Sequence, residues 1–585
     1  MGFTCVLQAL LIPGKNDMHS SLPDEAIDFL EWRWPQIEPL FQNLSRRSLT
    51  ESNILEWLNE WSELSKLLDE SYWRLYDATT INTIDQEVEE KLNRFLDQVR
   101  PQAKSAEQKL KEKLLNSGIT PDGYQVPLRD LHAQADLFRE ANLPLLSEDK
   151  KLVVEYDKII GAQTVLWEGE RVSLPQLLPV YQQPDREIRE NAWRQAAERQ
   201  LADREVLNDL WVKFLKLRQR IATNADLQSY RAYRWRELLR FDYTPEDCYQ
   251  FHQAIARVIV PAAESIYEKR RLRLGVTTLR PWDLEVDPFG KPPLKPFSTS
   301  EELENGTAQI FRQVDHQLGD YFEIMRAEGL LDLENRVNKA PGGYCSHYMS
   351  SEQPFIFMNA VGIHDDVQTL LHEGGHAFHV FECGHLPYFF LDVPLEFAEV
   401  ASTSMELLAS PYLADDQGGL YSHEEAARAR IQFLESMLLF WPYMAVVDAF
   451  QQWVYENQQA ALDPANCDAR WAQLWEHFMP GADWSGLEEE RRTGWQRKPH
   501  IFTDPFYYIE YGLAQLGAIQ IWRNSLSDQT GAVNAYRQAL SLGTSVTLPQ
   551  LYAAAGGKFT FDETTLRQAV DLILETVSEL ELDIG

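Results

Sequence analysis

The stretch DDVQTLLHEGGHAFHVF, residues 365–381, sets the reading of the whole chain. Val367, Leu370, Leu371, Phe378 and Phe381 recur at helical spacing, and Asp365 with Asp366 are expected to cap the start of that helix. His372 and His376 then lie four residues apart on one face, where both imidazoles can reach one metal ion. Zinc suits imidazole nitrogen, and a catalytic zinc takes three protein ligands and keeps one position open, so a third ligand must come from elsewhere. Glu373 sits next to the open position and is expected to take a proton from an attacking water.

Working outward, LEFAEVASTSMELLAS at 395–410 reads as a second helix. Glu396, Glu399, Thr403 and Glu406 form one polar stripe on an otherwise apolar segment, and a buried polar stripe needs a polar partner, which a metal supplies. Spacing alone leaves both Glu396 and Glu399 open as the third ligand. Upstream, APGGYCSHYMSSEQPFIFMN at 340–359 carries Gly342-Gly343 followed by aromatic and β-branched residues, the pattern of a short sheet.

The rest is dominated by the helical period. Asp24 to about Leu115 reads as a helical bundle, with Ile54, Leu55, Leu58, Trp61, Leu64 and Leu67 on the expected spacing. Gln163–Val172 reads as a small hairpin. The stretch from Asp185 to Ala222 lacks Pro and Gly and predicts one long helix or two with a slight break. Prolines and glycines between Gly275 and Pro296 mark an irregular crossing. With so few strands the fold class is mainly α.

At 585 residues the chain exceeds what one core usually organises, so at least two structural units or a large shell are expected. Lys and Arg number 55 against 89 Asp and Glu, a net charge of −34, which disfavours nucleic acid and anionic lipid as partners. Five scattered cysteines, Cys5, Cys248, Cys345, Cys383 and Cys467, contain no CxxC pair and point to a reducing compartment. Met1–Pro13 lacks a basic leader region, and no uninterrupted apolar run reaches membrane-spanning length, so the expected location is cytoplasmic.

Amide hydrolysis also needs donors where the carbonyl oxygen becomes negative. In KPHIFTDPFYYIEYGLAQ at 498–515, His500 precedes Tyr507, Tyr508 and Tyr511, and Tyr508 and Tyr511 share a helix face. His347, His364, His379 and His385 crowd the metal helix in sequence and are read individually as structural or as supports of the metal ligands.

HEGGHAFH at 372–379 followed by FAEVASTSMELL at 397–408 resembles the oligoendopeptidase F and thimet oligopeptidase family of zinc metallopeptidases, oligoendopeptidase F most of all. The resemblance continues in order through PDREIRENAW (184–193), RIATNADLQSYRAY (220–233), LRPWDLEVDP (279–288), KAPGGYCSHY (339–348) and LSLGTSVTLPQLYAAAG (540–556), and is weaker over the first hundred residues. It implies Glu399 as the third ligand of one zinc per chain, with Glu406 or Thr403 orienting a histidine. It implies that His500, Tyr508 and Tyr511 stand over the scissile carbonyl, with Tyr507 beside them as a substrate contact. A substrate-binding strand edge is implied at Gly342, Gly343 and Tyr344 and at Phe355–Asn359, including Phe357. The implied architecture is a two-lobed helical shell around a deep channel that admits short unfolded peptides, with 1–183 as an N-terminal helical region and 184–585 as the catalytic domain. The chain is expected to act as a monomer or small homo-oligomer, cutting internal bonds with a zinc-activated water. Two alternatives stay open. A carboxypeptidase or dipeptidyl carboxypeptidase would need a cationic or donor-rich clamp, which the sequence does not single out, although Arg491, Arg492, Arg497 and Lys498 lie just before the tyrosine segment; a silent peptide-binding protein would have a closed four-ligand metal site or lack the base.

Overall fold

The computed structural model describes residues 22, 23 and 26–584; Cys5, Met1–Pro13 and Asp24 lie outside them. The described chain is mainly α-helical. The helices that matter here are α1 (Ile54–Ile81), α2 (Pro245–Arg273), α3 (His364–Cys383), α4 (Leu395–Ala409), α5 (His423–Glu456) and α6 (Tyr508–Ser525). The strands are β1 (Thr164–Trp167), β2 (Glu170–Ser173), β3 (Leu331–Glu334), β4 (Tyr344–Tyr348) and β5 (Gln353–Ala360). By packing, the described residues form two compact units, each assembled from separated stretches: those up to 135, 295–426 and 517–559 in the first, 136–294, 427–516 and 560–584 in the second.

The first unit contains the motif helix and the larger sheet. Its order is β3-β5-β4, with β5 parallel to β3 and antiparallel to β4. Phe355, Ile356, Phe357 and Met358 on the central strand are all buried, so FIFMN forms the middle of the sheet. The expected short sheet is therefore present, joined by β3, which the sequence pattern does not single out. In α1, Ile54, Leu58, Trp61, Leu64 and Leu67 are buried as the helical period predicts, Leu55 is half-buried and Trp57 joins the buried set, within a cluster that includes Phe389 and Phe390.

A polar stripe on α1 grips the β4–β5 hairpin. Asp77 accepts hydrogen bonds from Tyr344 Oη (3.1 Å), Ser346 Oγ (2.8 Å) and Tyr348 Oη (2.9 Å), three alternate residues on one face of β4. Glu70 accepts from the Ser351 backbone N–H (2.8 Å) and hydroxyl (2.6 Å), and Arg74 lies 4.0 Å over the Tyr348 ring. Burial pushes the Asp77 carboxyl up to about 6, although all three hydroxyls favour its charged form.

In the second unit, β1 and β2 form the expected hairpin, turning through Glu168 and Gly169, both at positive φ. The predicted long helix is two, Arg186–Ala202 and Arg204–Asn224, broken at Asp203. The irregular crossing contains a single 3₁₀ turn, Pro281–Asp283, whose fully buried Asp283 pairs with Arg186 (2.7 Å) and Arg189 (2.9 Å). The helix α5 is long and apolar enough to cross a membrane by length and composition, although Glu435, Ser436 and Asp448 interrupt its apolar run. Its apolar window is 78% buried within the protein, so it is accounted for as a core helix.

Candidate metal centre

The motif helix begins at His364, and its N-terminal turn is closed by Asp366 alone, which accepts the backbone N–H groups of Val361 (2.8 Å), Gly362 (2.9 Å) and Ile363 (3.0 Å). Asp365, expected to share this task, does not take part in these bonds. Val367, Leu370, Leu371 and Phe378 bury the apolar face and turn His372 and His376 toward α4.

Two glycines of the motif allow α4 to come close. A Cβ at Gly375 would lie 2.6 Å from both Ala401 O and Ser402 Cα, and one at Gly374 would lie 2.4 Å from the Phe311 ring. Any side chain at Gly375 would therefore push against backbone. Sequence reasoning assigned these glycines no role, though two adjacent glycines inside a helix are costly unless close approach needs them.

The approach brings Glu399 to the histidines. Its Oε2 lies 3.4 Å from His372 Nε2 and 3.9 Å from His376 Nε2, and one ligand atom from each of the three residues falls within 4.8 Å of the others. Among the described residues this is the only such His/Cys/Asp/Glu group. Glu396 is buried on a different aspect of α4, where its backbone carbonyl accepts from Tyr552 Oη at 3.2 Å. The geometry thus selects Glu399 between the two spacings. His372 Nδ1 is 2.8 Å from Glu406 Oε1; in the tautomer whose Nδ1–H donates to Glu406, the Nε2 lone pair is available to a metal, and although burial opposes it, the hydrogen bonds to Glu399 and Glu406 raise this imidazole's pKa well above its usual value. Of the two residues expected to orient a ligand, Glu406 does so. Thr403 makes no such bond; Ser402, one helical turn past Glu399, donates to its carboxylate at 3.1 Å. The donor set, two imidazole nitrogens and one carboxylate oxygen with a carboxylate behind one ring, fits zinc with an open position.

Electrostatics divide the carboxylates. Burial pushes Glu373 up to about 7, the range in which a group exchanges protons near neutrality. Burial also disfavours charge on Glu399, but the hydrogen bond from His372, the neighbouring imidazoles and the Ser402 hydroxyl bring it down to about 2, so it stays anionic. Burial draws His376 down to about 4 and His379 to about 3, keeping both neutral. His364 Nδ1 lies 2.8 Å from Tyr421 Oη, within hydrogen-bond distance.

Of the residues expected to bind substrate, Gly342 and Gly343 are exposed and Tyr344 half-buried on β4, which is an edge strand. Phe357 is fully buried in the central strand and stacked on Tyr344 at 4.9 Å between ring centres. Both its strand edges are paired, so it belongs to the core, and the free edge falls to β4 instead. The Tyr344 hydroxyl is already held by Asp77 and Thr80.

In the second unit the aromatic segment gathers around His500. Ring centres of Tyr507, Tyr508 and Tyr511 lie 5.7, 5.1 and 6.1 Å from the imidazole. Phe506, at φ 68°, makes the turn that places Tyr507 and Tyr508 side by side at the start of α6. Burial draws His500 down to about 4, so its ring is neutral. Tyr508 is buried, whereas Tyr507 and Tyr511 are half-buried.

These features match a known family. The family model for peptidase family M3 matches residues 180–570. The chain belongs to peptidase family M3. Within it, the chain is 24% identical over 367 residues to an oligoendopeptidase F homolog of Lactococcus lactis, covering 61% of this chain and 58% of that protein. It is 25% identical over 277 residues to oligopeptidase PepF of Bacillus subtilis, covering 45% of this chain and 39% of that one. The chain thus spans less than two thirds of the length of these curated relatives. Among solved structures, PZ peptidase A with an inhibitor superposes with a TM-score of 0.83 at 28% identity, covering 97% of this M3 chain and 100% of that chain. The M3 match contains every residue of the candidate centre and the His500 segment, but not α1 with Asp77.

Proposed function

We propose that this protein is a zinc-dependent oligoendopeptidase that hydrolyses internal bonds of short, unfolded peptides. The observation that carries the reading is the convergence of His372 Nε2, His376 Nε2 and Glu399 Oε2 beside Glu373, with Glu406 at His372 Nδ1. When bound, zinc would supply Lewis acidity, lowering the pKa of a water and polarising the scissile carbonyl. Glu373, near neutrality in pKa, takes the proton from the attacking water and returns it to the leaving amine. His500, Tyr508 and Tyr511 are proposed as donors to the carbonyl oxygen as it becomes negative, a role that rests on the family resemblance of their segment. The edge of β4 is proposed to pair with substrate backbone, which would bind peptides with little regard to side chains. A cytoplasmic location is part of the proposal, supported by Cys248, Cys345, Cys383 and Cys467 all being free thiols.

The test is an internally quenched peptide blocked at both ends, incubated with and without chelator, with product masses recorded. Internal cleavage that chelator abolishes and zinc restores is the expected result. Release of only terminal residues from unblocked peptides would replace the endopeptidase reading with an exopeptidase one, and no cleavage of any peptide would remove both.

A further inference from the structure

Four cations precede the His500 segment, and the structure separates them into two kinds. Arg491 pairs with Glu476 at 2.9 Å, and Arg492 pairs with Glu489 at 2.8 Å and lies 3.9 Å from Asp468. Those charges are already answered within the protein. Among the described residues, Arg497 and Lys498 have no carboxylate within ion-pair distance. Arg497 is spent on a carbonyl, donating from Nη2 to Glu490 O at 2.9 Å.

Lys498 is different. Its side chain is half-buried, its ammonium donates to Tyr508 Oη at 2.9 Å, and it stands 4.0 Å over the Tyr508 ring and 5.6 Å from the Tyr443 ring. An ammonium has three donors, and Tyr508 takes one. A partly desolvated cation is expected to be paired, and this chain carries an excess of 34 negative charges from which a partner could have been drawn. Yet the surroundings are aromatic rings and a neutral imidazole. Burial draws the ammonium down to about 8, which still leaves it mostly charged at neutral pH. An unanswered cation with two free donors, beside a tyrosine hydroxyl, is a ready receptor for a carboxylate.

We propose that Lys498, with the Tyr508 hydroxyl at its side, is a specificity-determining residue that binds a carboxylate of the peptide substrate. The carboxylate has two sources in a short peptide, the free C-terminus and an Asp or Glu side chain. The assignment rests on the peptidase reading above, because it places the His500 segment against substrate. It goes beyond that reading in giving the enzyme a preference among peptides that backbone pairing alone would not.

The experiment compares three versions of one cleavable peptide: free C-terminal acid, C-terminal amide, and amide with a glutamate replacing a neutral residue after the cleaved bond. In the unmutated protein, at least one carboxylate-bearing version should exceed the plain amide in kcat/KM by about tenfold, the usual scale of a charged hydrogen bond. Lys498→Met should bring that ratio close to one, and Lys498→Arg should keep most of it. The version preferred identifies the source of the carboxylate. Equal rates for all three versions in the unmutated protein, an unchanged ratio in Lys498→Met, or an equal loss on acid and amide would each overturn the assignment, the last because Lys498 would then act only through Tyr508. Binding of the same peptides to the Glu373→Gln protein, followed by calorimetry, separates the two readings. Preferential binding of a carboxylate version with no cleavage by the unmutated protein would sink the peptidase reading and leave the carboxylate site standing; cleavage without preferential binding would do the reverse. Should Lys498→Met fail to fold, the ratio in the unmutated protein and in Lys498→Gln decides.

Discussion

At the scale of single residues the candidate centre distributes its work among carboxylates that differ in environment. Glu399 and Glu406 both touch His372, one at Nε2 and one at Nδ1, whereas Glu373 is isolated enough for burial to dominate its pKa. Glu373→Gln should therefore retain zinc while turnover falls by about 10²–10⁴, the worth of a positioned general base. Elemental analysis and kcat on one preparation check this; loss of metal would make Glu373 a ligand. Glu406→Gln removes the carboxylate partner of His372 Nδ1 and should weaken zinc affinity about 10–100-fold. Glu399→Gln should weaken it further still, and Glu396→Gln should leave it nearly unchanged. Competition with a chromophoric chelator ranks the three, and a larger loss in Glu396→Gln than in Glu399→Gln would contradict the ligand assignment.

At the scale of elements, the centre exists because α3 and α4 approach more closely than side chains on both would allow. Gly375→Ala should force backbone apart, since its Cβ would meet Ala401 O and Ser402 Cα at 2.6 Å, and should cost about 1–3 kcal/mol together with zinc affinity. Gly374→Ala meets only the Phe311 ring and should be milder, because a side chain can rotate. Thermal melts and metal content of the two variants test the difference. The α1–β4 contact gives a second prediction. Because the folded Asp77 carboxyl titrates at about 6, above the unfolded value near 3.8, the native state binds the proton more tightly. Its contribution to stability is fully present below about pH 4 and is lost as pH rises through about 6. Denaturant melts from pH 4 to 7 should show Asp77→Asn losing that slope relative to the unmutated protein, whereas parallel curves would mean that Asp77 is not titrating there. This contact lies in the region where family likeness is weakest, yet its signal is in the sequence: Glu70, Arg74 and Asp77 recur at helical spacing on one face of their helix, as Glu399 and Glu406 do on theirs.

At the scale of the whole molecule, the ligands come from two helices and contribute to a site that the unfolded chain does not hold together. Zinc should bind the folded protein far better than the unfolded one and stabilise it by mass action, by about 2.7 kcal/mol when free metal is a hundredfold above Kd. Chelation should lower the melting midpoint, zinc should restore it, and Glu399→Gln should blunt the response; an unchanged midpoint would mean that no metal is bound at this site. The chain itself determined much of this. The i, i+4 histidines, the adjacent glutamate, the polar stripe on α4 and the mainly helical class all follow from local periodicity, because a helix fixes which side chains share a face before anything packs on it. Local spacing could not choose between Glu396 and Glu399, could not tell that FIFMN would be the central strand rather than an edge, and could not foresee that each compact unit is assembled from three separated stretches. Nor could it distinguish Lys498 from Arg491 and Arg492, three cations alike in sequence. Those choices depend on which groups from distant segments meet, and only the tertiary structure decides that.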